Sequence, residues 1–347
     1  MEKHSCIFNS KLWPGGLFVC LGLIVLFETA VALLPEFLIF DPPYEQKAME
    51  LKAETVEKHN AYDVLILGDS FAWAGVIPEI IDRKLSVETY NLALNSQQTY
   101  LMNYILLKRY IKNCEKKPKL VIMVITASSL TWSDRLSLSD IKDFILPYIR
   151  HKSEFLNELD LSTRLSVTKY LLLTTVPSIK RQYIFRDNIF KRVRNKKLYE
   201  KHIEEYKRYK GYMFNPAVPK NNGIDVEDIV DRVKYFQLSQ LNTVYLLRIL
   251  DLLEKNGIQT VLVGQSVRAE LNQWFEEYGI YEKVEDFIEK ISSPFGNVLP
   301  YLPMHDVAGN PALYKDETHL SYEGAALYTQ ILTQRINQRD CPLLLRK

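Results

Sequence analysis

The longest apolar run is Leu17–Leu34, LFVCLGLIVLFETAVALL, in which Glu28 is the only charge. With its flanks Pro14-Gly15-Gly16 and Phe37-Leu38-Ile39-Phe40 it predicts a helix long enough to cross a hydrocarbon core of roughly 30 Å. A different pattern follows. Residues 41–61 begin with Pro42-Pro43 and continue as a polar, Glu/Lys-rich helical stretch, which reads as a stalk. Short runs of unbroken apolar residues then alternate with helical segments. Asp63–Gly68 reads as a buried strand, Pro78–Leu85 as a helix with Pro in its first turn, and Val87–Leu94 as a second strand. Gln97–Cys114 reads as a long helix and Leu120–Thr126, LVIMVIT, as the most apolar strand. Val244–Asn256 is a helix closed by Gly257, with the strand Gln259–Val263 behind it. Continuous apolar strands alternating with helices predict an α/β fold whose parallel sheet is covered on both faces.

Between about 135 and 240 the strand signals stop and charged helical segments take over, which predicts a helical insertion. The expected organisation is therefore a membrane anchor over 1–40, a stalk over 41–61, an α/β domain over 62–335 carrying that insertion, and a tail over 336–347.

Charge changes the picture in two places. Lys3 and Lys11 precede the apolar run, whereas Glu36, Asp41 and Glu45 follow it, so the bias places the N-terminus in the cytoplasm and the rest outside. A cleavable signal peptide is the alternative, with Ala30-Val31-Ala32 as its small-residue site; because the apolar run continues past that site, a retained anchor is favoured. Overall the chain carries a net charge of +2, which supplies no field for nucleic acid. Lys180–Tyr212 is locally basic, with Tyr183, Phe185, Tyr199, Tyr206 and Tyr209 interleaved; it reads first as a solvated helical face and second as a surface for lipid headgroups or acidic glycans. Cys114 and Cys341 would share the exported side, with no spacing that demands a disulfide.

Two short blocks carry candidate chemistry. Gly68-Asp69-Ser70 falls where a buried strand ends, and side chains at the carboxyl end of such a strand face the ligand crevice. A serine there is placed as a nucleophile, or more blandly as a helix N-cap. A serine hydroxyl needs a base, and the base needs an orienting group. Asp316-Glu317-Thr318-His319 supplies both on a loop that feeds a C-terminal helix, with Ser321 as its expected N-cap. His319 would take the proton from Ser70, and Asp316 would fix the imidazole tautomer. His305-Asp306 is a second pair that could line the same crevice, whereas His59, His151 and His202 sit in charged helical surroundings. No His/Cys/Asp spacing points to a metal and no glycine pattern to a nucleotide, so no cofactor is expected.

Taken together and in this order, VLILGDSFAWAGVIPEII and DETHLSYEGAALYTQIL resemble the nucleophile and Asp-x-x-His blocks of the SGNH (GDSL-type) hydrolase superfamily. The resemblance covers about 62–130 and 242–335 and leaves out the insertion. It implies a three-layer, flavodoxin-like parallel sheet and a Ser70–His319–Asp316 triad. It also implies oxyanion donors from Ser70 itself and from two middle blocks. At those blocks the chain departs from the pattern: Ser96 aligns with the usual glycine, and Thr126-Ala127-Ser128-Ser129 stands in place of Gly-x-Asn-Asp. Ser96, Asn95 and Ser128 are the candidate replacements.

The resemblance implies a serine esterase or O-acyltransferase working on ester-linked acyl groups of envelope carbohydrate. Anchored relatives of this layout work beside a multi-spanning O-acyltransferase, a partner that would also account for Glu28. The alternatives are a lipid or lysophospholipid esterase and a catalytically silent scaffold that binds glycan or a protein.

Overall fold

The computed structural model describes residues 13–33, 44–94, 99–131, 152–159, 161–173, 175–176, 200–201, 203–213, 226–307 and 310–338. The chain divides into two compact units, one made of Met1–Pro42 with Leu156–Glu200 and the other of Pro43–Phe155 with Lys201–Lys347.

In the first unit, helix α1 (Trp13–Leu33) is 21 residues long. It would span about 32 Å at 1.5 Å per residue. Apart from the buried Val31, its large apolar side chains with described exposure lie open, Phe18 at 71% and Leu26 at 67% among them. It is the one helix among the described residues that is long and apolar enough to cross a membrane.

The second unit is an α/β domain. In chain order it begins with α2 (Tyr44–Thr55), β1 (Val64–Leu67), α3 (Ser70–Gly75), α4 (Pro78–Leu85) and β2 (Thr89–Asn91). It continues with α5 (Thr99–Asn113), β3 (Leu120–Ile125) and α6 (Ala127–Thr131). Helices α7 (Lys152–Glu158) and α8 (Leu161–Leu173) come next in sequence, α8 within the first unit. The chain then runs through α9 (Val226–Val233), α10 (Gln240–Lys255), β4 (Gln259–Gly264), α11 (Ala269–Glu277), α12 (Ile280–Ser292), β5 (Val298–Leu302) and α13 (Tyr322–Gln338). The five strands form one all-parallel sheet in the order β2-β1-β3-β4-β5. Every residue of β1 and β3 is buried. That burial is the physical reason their sequences read as unbroken apolar runs.

The topology defines the crevice. The chain leaves β1 in one direction to build β2, then returns across β1 to build β3. Strand order reverses between β1 and β3, and ligands of open α/β sheets bind outside the carboxyl ends of strands at such a point.

Several expectations need adjustment. The segment read as a stalk supplies α2, whose Ala48, Met49, Lys52 and Ala53, with Val56 just beyond it, are buried, so it is a packed part of this unit. Strand β2 covers three residues where eight were expected; beyond Asn91 the Leu92 and Leu94 N–H groups still donate to the Ile66 and Gly68 carbonyls, while the Asn91 side chain takes the Ala93 N–H between them. Helix α10 begins at Gln240, four residues early, because Ser239 caps it by accepting from the Asn242 N–H at 3.1 Å. Strand β5 and helices α11 and α12 were not foreseen; β5 is a half-exposed edge strand containing Pro300, a composition that masks a strand. Of the expected insertion, the described residues are helical in α7, α8, over 203–208 and in α9, while 132–151, 177–199 and 214–225 lie outside the described residues. In the basic segment Tyr206 and Tyr212 are core residues and Lys210 pairs with Asp82 at 2.8 Å, so its described end is packed. Tyr183, Phe185 and Tyr199 lie outside the described residues. Cys114 is a free thiol, and Cys341 lies outside them with the rest of 339–347.

Candidate active site

Strand β1 delivers the chain to Gly68, whose φ of +142° is a conformation L side chains avoid. A Cβ there would also stand 2.6 Å from the Ala72 Cβ and 3.1 Å from the Val124 carbonyl oxygen. Only glycine lets the backbone turn this tightly from β1 into α3 against β3. Asp69 then caps α3, accepting from the Phe71 N–H at 2.9 Å. Ser70 is therefore the first helical residue, not the cap, and Asp69 takes the capping role considered for it.

The second half of the site comes from the loop before α13. An antiparallel bridge joins Tyr314 to Leu320, and the Lys315 N–H donates to the His319 carbonyl at 2.8 Å, which closes residues 314–320 into a tight loop. The Arg268 N–H, just after β4, donates to the Glu317 carbonyl at 3.1 Å and moors this loop to the sheet. Ser321 caps α13 as expected, accepting from the Gly324 N–H at 3.2 Å. A Cβ on Gly324 would come within 2.0 Å of the Leu313 carbonyl oxygen, so the glycine lets the helix sit against residues 311–313. Thr329 of α13 accepts from the Ile77 N–H at 3.0 Å, and Tyr328 meets Phe71 edge-on at 5.4 Å. These contacts lock α13 to the α3 region and fix the His319 loop relative to Ser70.

Ser70, His319 and Asp316 form one hydrogen-bonded line. Ser70 Oγ is 2.8 Å from His319 Nε2. His319 Nδ1 is 3.0 and 2.9 Å from Asp316 Oδ1 and Oδ2. Asp316 also accepts from the backbone N–H groups of His319 at 2.7 Å and Thr318 at 3.0 Å. Burial opposes its ionisation, but the hydrogen bonds and positive charge of His319, with the two backbone donors, outweigh it and hold the carboxyl down to about 2. An ionised Asp316 on Nδ1 leaves Nε2 as the acceptor facing Ser70.

The other candidates divide. Ser128 stands at the carboxyl end of β3 in α6, half-buried, with its hydroxyl 3.2 Å from that of Thr126. Asn95 and Ser96 lie outside the described residues. His305 is stacked on Tyr281 at 4.5 Å and lines a small pocket beyond β3 and β4 with Gln265, Tyr301 and Met304; it is not part of the Ser70 line. His59 is exposed, and His151 and His202 lie outside the described residues. Among the described residues no group of His, Cys, Asp and Glu is arranged to hold a metal ion.

Sequence reasoning missed Thr126. Its hydroxyl donates to Asp69 Oδ2 at 2.5 Å, lies 2.8 Å from Ser129 Oγ and accepts from the Ser129 N–H at 3.1 Å. Ser129 passes the network to Tyr100 at 3.0 Å. Burial pushes the Asp69 carboxyl up, against the hydrogen bonds from Thr126 and Phe71. Asn91 was also missed; its side chain donates to the Ala72 and Val76 carbonyls at 3.0 and 3.1 Å and accepts from the Ala93 N–H at 3.0 Å. Its signal in the sequence is a lone amide inside the otherwise apolar run Tyr90–Leu94.

The fold and site thus define an all-parallel α/β protein with a Ser–His–Asp line at the carboxyl edge of its sheet. The chain belongs to the family described as a protein of unknown function (DUF1574), whose model matches residues 43–336. The match begins at α2 and ends within α13, leaving α1 outside it. No curated protein matches the chain.

Proposed function

We propose that this protein is a membrane-anchored SGNH-type serine esterase or O-acyltransferase acting on ester-linked acyl groups of envelope carbohydrate. The observation that carries the reading is the Ser70–His319–Asp316 line, with donor and acceptor atoms at 2.8 and 2.9 Å. Ser70 Oγ attacks the ester carbonyl while its proton moves to His319 Nε2. The tetrahedral intermediate collapses, the ester C–O bond breaks, and His319 returns the proton to the departing alcohol. Water or a sugar hydroxyl then gives its proton to His319 and attacks the Ser70 acyl ester, which releases acid or a new ester. Asp316 stays ionised throughout and stabilises the imidazolium.

The negative charge on the carbonyl oxygen needs donors. The Ser70 N–H sits in the first turn of α3, where helical N–H groups lack intrahelical partners. The Ser128 hydroxyl is the second donor in this reading: Thr126 gives its own proton to Asp69, so Ser128 donates to Thr126 at 3.2 Å and turns that proton toward the oxyanion when substrate binds. The apolar helix α1 and the charge bias around it support an anchor with the domain on the extracytoplasmic side. That location is the reason for choosing envelope carbohydrate as substrate, with a multi-spanning acyl-donor protein as partner.

The test is ester release by detergent-extracted protein. Acetyl release from acetylated sugars and short-chain esters, lost in Ser70→Ala, is the expected result. Preference for long-chain lipid esters would replace the substrate with a lipid. No release from any ester by folded protein would leave a binding scaffold.

A further inference from the structure

Lys52 is the one wholly buried lysine among the described residues. It lies on the inner face of α2 with Ala48, Met49 and Ala53. Its Nζ donates to the Ala93 carbonyl and stands 4.8 Å above the Trp73 ring and 6.0 Å from that of Tyr206. Burial drives its pKa well below the ordinary lysine value, with no carboxylate among the described residues near enough to resist. Burying an amine without an anion costs stability, and an apolar side chain of similar length would fill the same space without that cost. What the amine supplies is a pair of contacts. Trp73 belongs to α3, three residues beyond Ser70. Ala93 belongs to the backbone leaving β2, where Asn91 holds its N–H at 3.0 Å and the next N–H, of Leu94, donates to the Gly68 carbonyl at 3.0 Å. Lys52 and Asn91 thus capture both polar backbone groups of Ala93, and both also touch α3.

We propose that Lys52 is a positioning residue for the chemistry at Ser70, fixing the spacing between the nucleophile's helix and the backbone that leaves β2 by holding Ala93 against Trp73. The inference rests on the reading of Ser70 as a nucleophile. Lys52 touches no reacting atom; it acts through Trp73 and Ala93. It also gives α2, which among the described residues is the first element after the apolar helix in sequence, a direct hold on the site.

The experiment compares wild type, Lys52→Met and Lys52→Ala as full chains in detergent, using a short-chain nitrophenyl ester. Lys52→Met is expected to lower kcat by about 10²-fold, the scale of a small misplacement of reacting groups, with KM little changed. Its melting temperature is expected to equal or exceed that of wild type, and amide exchange across residues 91–94 to quicken. Added n-propylamine, and not n-propanol of the same size, is expected to restore part of the Lys52→Ala rate, which a defect of packing alone does not predict. An active wild type with an equally active Lys52→Met overturns the Lys52 role alone. So does a loss of activity that tracks a fall in melting temperature and does not respond to the amine. If wild type neither turns over esters nor is modified at Ser70, the nucleophile reading falls and takes this role with it.

Discussion

Ser70 Oγ and His319 Nε2 lie 2.8 Å apart although 249 residues separate them in the sequence. Two independent moorings produce that distance: the Gly68 turn from β1 into α3 on one side, and the clamp of α13 on the α3 region on the other. Neither residue is held by its own contacts alone.

Asp316→Asn tests the far end of the line. An amide at Nδ1 favours the wrong imidazole tautomer, so kcat is expected to fall by about 10⁴-fold with little change in KM. The substitution also has a pH signature. The Asp316 carboxyl is depressed in the folded state to about 2 from an ordinary 3.8. A depressed carboxylate contributes stability that is fully present above its unfolded value and lost as pH falls through the folded one. A depression of this size corresponds to on the order of 2 kcal/mol. Urea unfolding should show that deficit in Asp316→Asn near pH 6 and a narrowing gap as pH drops from about 4 toward about 2. A gap constant with pH would contradict the assigned ionisation.

How much of the fold and site was legible in the sequence depends on how local each signal is. The Gly68-Asp69-Ser70 and Asp316–His319 blocks could be read because each sits in one short segment beside a strong element signal. The sheet could be read where burial on both faces makes strands continuously apolar, as in β1 and β3. Strand β5, half-exposed and holding Pro300, could not. Lys52 could not either, since a lysine in a Glu/Lys-rich helix reads as solvated until the fold closes over it. The Thr126 network depends on β1 and β3 being neighbours, which periodicity alone does not specify.

Thr126 and Ser128 are expected to separate cleanly. Thr126→Val removes the donor to the half-buried Asp69 and should destabilise by about 1–3 kcal/mol, read by urea unfolding. Ser128→Ala should leave stability unchanged and lower kcat by about 10²-fold at constant KM if its hydroxyl binds the oxyanion. Unaltered kcat in Ser128→Ala would remove it from the oxyanion hole.

Helix α1 predicts membrane partition. The full chain should sediment with membranes and resist salt and alkaline extraction, whereas a chain starting at residue 41 should be released. A protease added to intact cells with a permeable outer layer should cleave the domain if it faces outward. Protection from that protease would place the domain in the cytoplasm and remove the envelope substrate.

The most direct measurement is labelling with a fluorophosphonate probe, followed by mapping of the modified peptide. Wild-type protein should carry the adduct on Ser70, Ser70→Ala none, and Asp316→Asn should label far more slowly. Folded, membrane-extracted wild type that takes no label, or takes it on another serine, would contradict the assignment of Ser70 as a nucleophile activated by His319.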